Sequence, residues 1–252
     1  MKILLLIKQV PKQDSVKFDE KGNLIRENIE LTINRADEYA IENALILKER
    51  FNFKTIAVTM GPESSVDVIR YAISKGIDEG YIITDPSLKG SDAYITSKVL
   101  HDSIKNFIDD KTIIFTGNKS EDGETGLVPS MIAGCLKIPS VSDVEIINFE
   151  NSQLKVRRKI DNEVQEVLLK IPSIVSFKIS SLLKLRPPSI KYLLKSKSYN
   201  VKNIFNTNLS GDKSPTYINE IIKKEVKISK NTQFIDVNDK DKMLEIKKMI
   251  YE

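Results

Sequence analysis

The chain has 252 residues, 40% hydrophobic and 29% charged, with a formal net charge of +4. That balance suits a soluble globular protein with one large core, or one α/β domain with an appendage, and it is too mild to argue nucleic-acid binding. A single cysteine, Cys135, excludes an internal disulfide framework and points to a reducing cytoplasm, and no apolar run approaches the ~18 residues of a membrane span.

Met1 to Ile7, apolar except for Lys2, is too short for a signal-peptide core and reads as a buried parallel strand. A loop begins at Lys8-Gln9-Val10-Pro11, because a residue before proline is pushed out of the α region. Val16 to Arg26 alternates around Asp19-Glu20-Lys21-Gly22, the pattern of a small hairpin. Asn34 fits a helix N-cap, and Ala36, Tyr39, Ala40, Ala44, Leu45 and Leu47 mark an amphipathic helix ending near Arg50. Thr55 to Met60 is a second parallel strand, stopped by Gly61-Pro62. Pro62 suits the start of a helix that turns Val66, Ile69, Ala72 and Ile73 inward and closes at Gly76. Glu79 to Thr84 is a third strand, Ser91 caps a long helix carrying His101, and Thr112 to Thr116 is a fourth strand. This alternation predicts a doubly wound, mostly parallel sheet, in which ligands sit at strand carboxyl ends where the strand order reverses.

After Ser140 the pattern changes. Val141–Phe149, Leu154–Ile160, Val164–Leu169 and Ser173–Phe177 read as short strands of an antiparallel meander at the sheet edge. Arg186-Pro187-Pro188 leads into a short helix, Ile190 to Lys195. The tail beyond is rich in Lys, Asn and Ser, with apolar patterns only at Ile218–Ile222 and Met243–Ile250. Such a tail either stays mobile or wraps a partner. Arg186 to Gly211 holds five basic side chains and no acidic one, which reads either as a solvated basic tail or as a docking surface.

Thr112 to Pro139 carries the strongest chemical signal. A β-branched strand reaches Gly117, a polar loop follows with Gly123 and Gly126, and a helical pattern runs through Met131, Ile132, Ala133 and Leu136. Strand, glycine loop and helix in that order bring backbone amides and a positive helix end to a phosphate. The spacing is neither GxGxxG nor GxxxxGK[ST], and an ordinary β–α turn would use the same glycines for positive φ. Cys135 falls on the apolar side of this helix and reads as a small core residue. His101, the one histidine, stands beside Asp102; no Ser-His-Asp set, Cys-His pair or histidine metal cluster exists. Acid pairs such as Glu121/Asp122 lack a nucleophile to serve. The chain therefore reads as a binding or cofactor-carrying protein, with no catalytic residue and no metal ligand assigned.

Taken together, several motifs resemble the beta subunit of an electron transfer flavoprotein (FixA-like). They are Ile7-Lys8-Gln9-Val10-Pro11; Ile33-Asn34 with Asp37, Ala40, Glu42, Ala44-Leu45 and Leu47-Lys48-Glu49; Thr59-Met60-Gly61-Pro62; Gly76-Ile77-Asp78-Glu79; Ser91-Asp92 to Leu100; Gly117 with Asp122-Gly123-Glu124-Thr125; and Ile171-Pro172-Ser173. The match covers roughly residues 1 to 200 and is more specific jointly than any one motif.

The resemblance implies an α/β fold of the adenine nucleotide alpha hydrolase-like type, with an antiparallel edge and an extended C-terminal arm. It implies a heterodimer whose alpha subunit holds FAD, while this subunit holds a second FAD or, alternatively, a structural AMP. Electrons then pass to or from acyl-CoA dehydrogenase-type flavoenzymes, with NADH as donor in the electron-bifurcating branch. Residues 1–185 form the nucleotide-binding domain, 186–200 the partner-recognition loop and helix, and 201–252 an arm on the alpha subunit. The nucleotide would meet Leu6 and Met60 as an apolar slot, with Lys8, Asn34, Arg35, Ala36 and Asp37 around ribose or adenine. Gly117, Asp122, Gly123, Glu124, Thr125 and Gly126 would lie along the phosphates, followed by Leu127, Val128, Pro129 and Ser130 at the helix start. Asn34 also has the simpler role of N-cap, and Glu124 that of a first-turn acid or a ribose ligand. The bifurcating branch usually reads DGDTAQVGP where this chain reads DGETGLVPS. The exchange removes a glutamine amide and places Pro129, which has no N–H, at the helix start. Arg186, Ile190, Lys191, Lys195 and Lys197 match the partner-recognition segment, with Ile190 as the apolar anchor. A stand-alone adenine-nucleotide-binding regulator of the stress-protein type shares a similar sheet but ends after it, whereas a long tail follows Lys195 here.

Overall fold

Buried β-branched strands alternating with amphipathic helices build the first two-thirds of the chain. The computed structural model describes residues 1–12, 17–18, 24–25, 29–161, 163–204, 214–216, 236 and 239–251. In chain order the elements begin with β1 (Lys2–Leu6), β2 (Gln9–Pro11), β3 (Lys17–Phe18), β4 (Leu24–Ile25), β5 (Leu31–Ile33) and α1 (Arg35–Phe51). They continue with β6 (Lys54–Met60), α2 (Val66–Lys75), β7 (Glu79–Ile83), α3 (Ala93–Ile104), β8 (Thr112–Gly117) and α4 (Val128–Leu136). Then come β9 (Ser140–Glu150), β10 (Gln153–Ile160), β11 (Glu163–Leu169), β12 (Ser173–Phe177), α5 (Ile190–Lys197), β13 (Lys202–Asn203) and α6 (Lys240–Tyr251).

Among the described residues one large sheet runs β11-β10-β9-β12-β8-β1-β6-β7-β13. From β9 to β13 every neighbouring pair is parallel, while β9, β10 and β11 pair antiparallel. The predicted doubly wound sheet with an antiparallel edge is therefore present. The chain winds outward from β1 through β6 and β7, then returns to place β8 on the other side of β1, so the order reverses between β1 and β8. Leu6 is level with Thr116 and with Val58 across that centre. One core cluster fills the face beneath α1 and α2, the other the face beneath α3 and α4. Phe115 and Phe177 stack edge to face at 4.9 Å inside the first.

Four sequence readings need correction. β12 is not part of the antiparallel edge: it lies parallel between β8 and β9. All five of its residues are buried, the mark of a strand covered on both faces. Helix α3 is capped by Asp92, whose carboxylate accepts from Ile95 N at 3.0 Å, while the Ser91 hydroxyl donates to the Leu88 carbonyl. Pro62 opens a 3-10 turn, Glu63–Ser65, rather than α2 itself. Cys135 is exposed, because α4 turns Ile132 and Ala133 inward and leaves Gly134 and Cys135 on the outer side. β3 and β4 pair antiparallel as the predicted hairpin requires; its turn, Asp19 to Gly22, lies outside the described residues, as does Ile218–Ile222. Part of the arm folds back on the domain: Thr216 donates from its N–H and hydroxyl to Asp92, and β13 joins the sheet beside β7.

Gly80 on β7 faces α2 so closely that an added Cβ would lie 2.2 Å from Ile69 Cγ2. Gly80→Ala therefore overpacks a rigid contact and should lower stability by about 1–3 kcal/mol. Urea unfolding, with an unchanged m-value, checks it.

Candidate functional site

The carboxyl ends of β1 and β8 are held together by Asp37 in the first turn of α1. Its Oδ2 accepts the Lys8 N–H at 2.7 Å and its Oδ1 accepts the Gly117 N–H at 2.8 Å. Asp37 is 4% exposed. Burial pushes its carboxyl up to about 7, against the opposing pull of the two amide donors and the Lys8 ammonium. α1 approaches so closely that a Cβ on Gly117 would stand 2.4 Å from Asp37 Oδ1 and 2.8 Å from Ala36 Cβ. Gly117 is thus required by contact, not by a turn.

Asn34 occupies the N-cap position of α1 but makes no cap bond with its side chain. Instead its Nδ2 donates to the Lys119 carbonyl at 3.0 Å and its Oδ1 accepts the Glu121 N–H at 3.1 Å. A buried amide from one end of the sheet thereby fixes the start of the 118–127 loop. The Lys8 ammonium bridges to both Asp122 oxygens at 2.7 and 2.8 Å. Burial would raise Asp122, yet the Lys8 hydrogen bond and charge hold it below its ordinary value. Both partners are partly exposed, so the pair adds little stability and serves mainly to position the loop. Lys119 and Glu124 pair at 3.4 Å.

Beyond Asp122 the loop is open. Gly123, Glu124, Thr125, Gly126 and Leu127 are all exposed, with Glu124 at φ 49° and Gly126 at φ 63°. It feeds α4, whose N-cap residue is Leu127, a side chain that cannot accept a hydrogen bond. The first turn of α4 thus has no side-chain cap for its amides. Pro129, the second residue of α4, is buried and removes one of those donors. Leu6 and Met60 belong to the α3/α4 face of the sheet, the side on which this loop and helix lie. The structure therefore brings Leu6, Lys8, Met60 and residues 122–130 to one strand-end region. Arg35 is exposed beside it, whereas Ala36 and Asp37 are buried in contacts that hold the backbone. Among the described residues no cluster of three or more metal-ligating side chains exists.

The basic segment lies elsewhere. From β12 the chain crosses the α1/α2 side and reaches α5, which packs against α2. Ile190 is 80% exposed and Leu194, one turn on, 63%. Lys191, Lys195 and Lys197 are exposed around them. Arg186, expected among the docking residues, is tied inward to α1. Its N–H and Nε donate to Glu42 at 3.1 and 2.8 Å, and its guanidinium forks onto Glu49. Sequence reasoning missed Leu194, although its i, i+4 spacing from Ile190 was a readable signal.

In Asp37→Asn the new amide NH₂ must face one backbone N–H, a loss of about 1.5–3 kcal/mol. The pH dependence has a fixed sign. Between the ordinary value of 3.8 and the folded value of about 7, the folded state keeps a proton that the unfolded state releases, so stability falls as pH rises through that window. Urea titrations from pH 4 to 8 should show this slope in the parent chain and its loss in Asp37→Asn.

The family model for the electron transfer flavoprotein domain matches residues 21–182. The chain is 36% identical over 205 residues to an electron transfer flavoprotein subunit beta from Thermoanaerobacterium thermosaccharolyticum, covering 81% of this chain and 77% of that one. It is 34% identical to the caffeyl-CoA reductase-Etf complex subunit CarD of Acetobacterium woodii, covering 70% and 68%. It is 30% identical to the acryloyl-CoA reductase electron transfer subunit gamma of Anaerotignum propionicum, covering 70% and 67%. With the parallel sheet, its central reversal and the glycine loop already in place, these matches show that the chain belongs to the electron transfer flavoprotein beta-subunit family.

Proposed function

We infer that this chain is the beta partner of a two-subunit electron transfer flavoprotein and carries FAD at the carboxyl edge of its sheet. The carrying observation is the exposed glycine loop that opens onto α4 without a side-chain cap, on the sheet face of Leu6 and Met60, where β1 and β8 mark the reversal of strand order. Such an edge suits an adenine nucleotide: amides and a helix end for phosphate, apolar side chains for the base. Gly123, Thr125, Gly126 and Ser130 would hold the phosphates, and Lys8 would offer a cation close by. The flavin, when bound, supplies the redox chemistry; the chain's residues bind, orient and shield it. NADH is the electron donor in this reading, and acyl-CoA dehydrogenase-type flavoenzymes are the partners that meet α5. Residues 1–185 hold the nucleotide, 186–200 form the loop and helix that present the docking surface to that partner, and the arm 201–252 packs on the alpha subunit. The relatives named as subunits of acyl-CoA reductase systems support that choice.

AMP is the second reading, favoured by one feature. Pro129 withdraws an amide from α4 while Glu121, Asp122 and Glu124 crowd the loop with negative charge, which suits one phosphate better than two.

Co-expression with the alpha subunit, purification and acid release of the nucleotides decides between them. Two FAD per heterodimer are expected; one FAD with one AMP selects the structural nucleotide, and a monomer carrying only ATP overturns both. Ile190→Asp should raise the KM for the dehydrogenase by roughly tenfold or more, as for an interface hot spot, with nucleotide content unchanged.

A further inference from the structure

We propose that Arg186 is a positioning residue that fixes the direction of α5, rather than a side chain that touches the electron-transfer partner; this rests on the reading of α5 as the docking helix. α5 is short and buries only Ser196, so its packing against α2 alone fixes its direction weakly. Polar and ring contacts at Arg186, Tyr192, Lys195 and Tyr199 add to that packing, and those at Arg186 come first along the chain.

Glu42 is 5% exposed, and a carboxylate so buried needs a cation and donors to be tolerated. Arg186 supplies both a backbone N–H and Nε to it, at 3.1 and 2.8 Å. The remaining guanidinium nitrogens reach Glu49, two turns further along α1. A planar fork engaged with two acids on one helix cannot rotate without breaking several bonds. The Lys75 ammonium donates to the Arg186 carbonyl, tying the same residue to the end of α2.

Pro187 and Pro188 follow at once. Their rings fix φ, so the chain direction set at Arg186 passes stiffly to Ser189, which caps α5 by accepting the Tyr192 N–H at 3.3 Å. Further along, the Tyr192 ring rests on Gly76, where an added Cβ would come within 3.2 Å of it. The Tyr199 hydroxyl accepts the Gly80 N–H at 2.8 Å. Arg186 is thus the upstream hinge pin of a splint whose outer side displays Ile190 and Leu194.

The test uses the purified heterodimer and an acyl-CoA dehydrogenase that accepts electrons from the parent complex. Arg186→Leu leaves Glu42 buried without its cation, so the paired variant Arg186→Met with Glu42→Gln removes the clamp without stranding a charge. In both, amide hydrogen exchange at residues 190–197 should accelerate at least tenfold and KM for the dehydrogenase should rise several-fold. Nucleotide content and kcat should stay unchanged. Arg186→Lys, which keeps one charged contact, should recover part of both effects. A paired variant with parent-like exchange and KM overturns the proposal while Ile190→Asp still raises KM. If Ile190→Asp leaves KM unchanged, the docking reading fails and the proposal falls with it.

Discussion

A single buried carboxylate sets the geometry of the sheet's carboxyl edge. Asp37 joins the amides that end β1 and β8, the two strands between which the sheet reverses direction. Parallel strands normally leave their last amides to loops or ligands; here a helix side chain takes them. That choice forces α1 close to β8 and makes Gly117 obligatory, since any side chain there would strike the carboxylate. With Asp37 and Asn34 both bonded to backbone, the first turn of α1 becomes a fixed wall. The variable part of the edge is then the 122–127 loop, whose amides no buried side chain claims.

The Lys8–Asp122 pair fits that division. Lys8 uses its backbone N–H on Asp37 and its ammonium on Asp122, so one residue links the fixed wall to the open loop. A partly exposed pair is weak in energy but ready to exchange partners, whereas the bonds to Asp37 are shielded from water. Rigidity and adaptability thus sit at the two ends of one lysine.

Much of this was legible in the sequence, for identifiable reasons. Helical periodicity and buried β-branched runs are local, so the alternation that gives the parallel sheet could be read directly. The strand-loop-helix unit after Thr112 was equally visible. Readings failed where the answer depended on partners far along the chain. Asn34 has the spacing of an N-cap, but its bonds go to Lys119 and Glu121, which no local pattern reveals. Arg186 reads as part of a basic surface until the buried Glu42 is placed beneath it. By position in the chain β12 reads as an edge strand, although its unbroken apolar and small-residue run differs from the alternation in β10 and β11. That contrast marks a strand covered on both faces.

The two regions proposed for nucleotide and partner lie at opposite ends of the strands. The loop and α4 lie at the carboxyl ends of the strands, whereas α5 rests on Gly76 and Asp78, just before β7 begins. A strand the length of β6, seven residues, separates such edges by roughly 20 Å. Interactions that far apart, with no shared partner, combine additively. The proposed nucleotide edge and the proposed docking helix can therefore be altered independently; α1 spans the distance between these ends, with Asp37 in its first turn, Glu42 near its middle and Glu49 in its last turn. Its packing against β8 and β12 makes α1 a stiff spacer, so it passes on position more readily than motion.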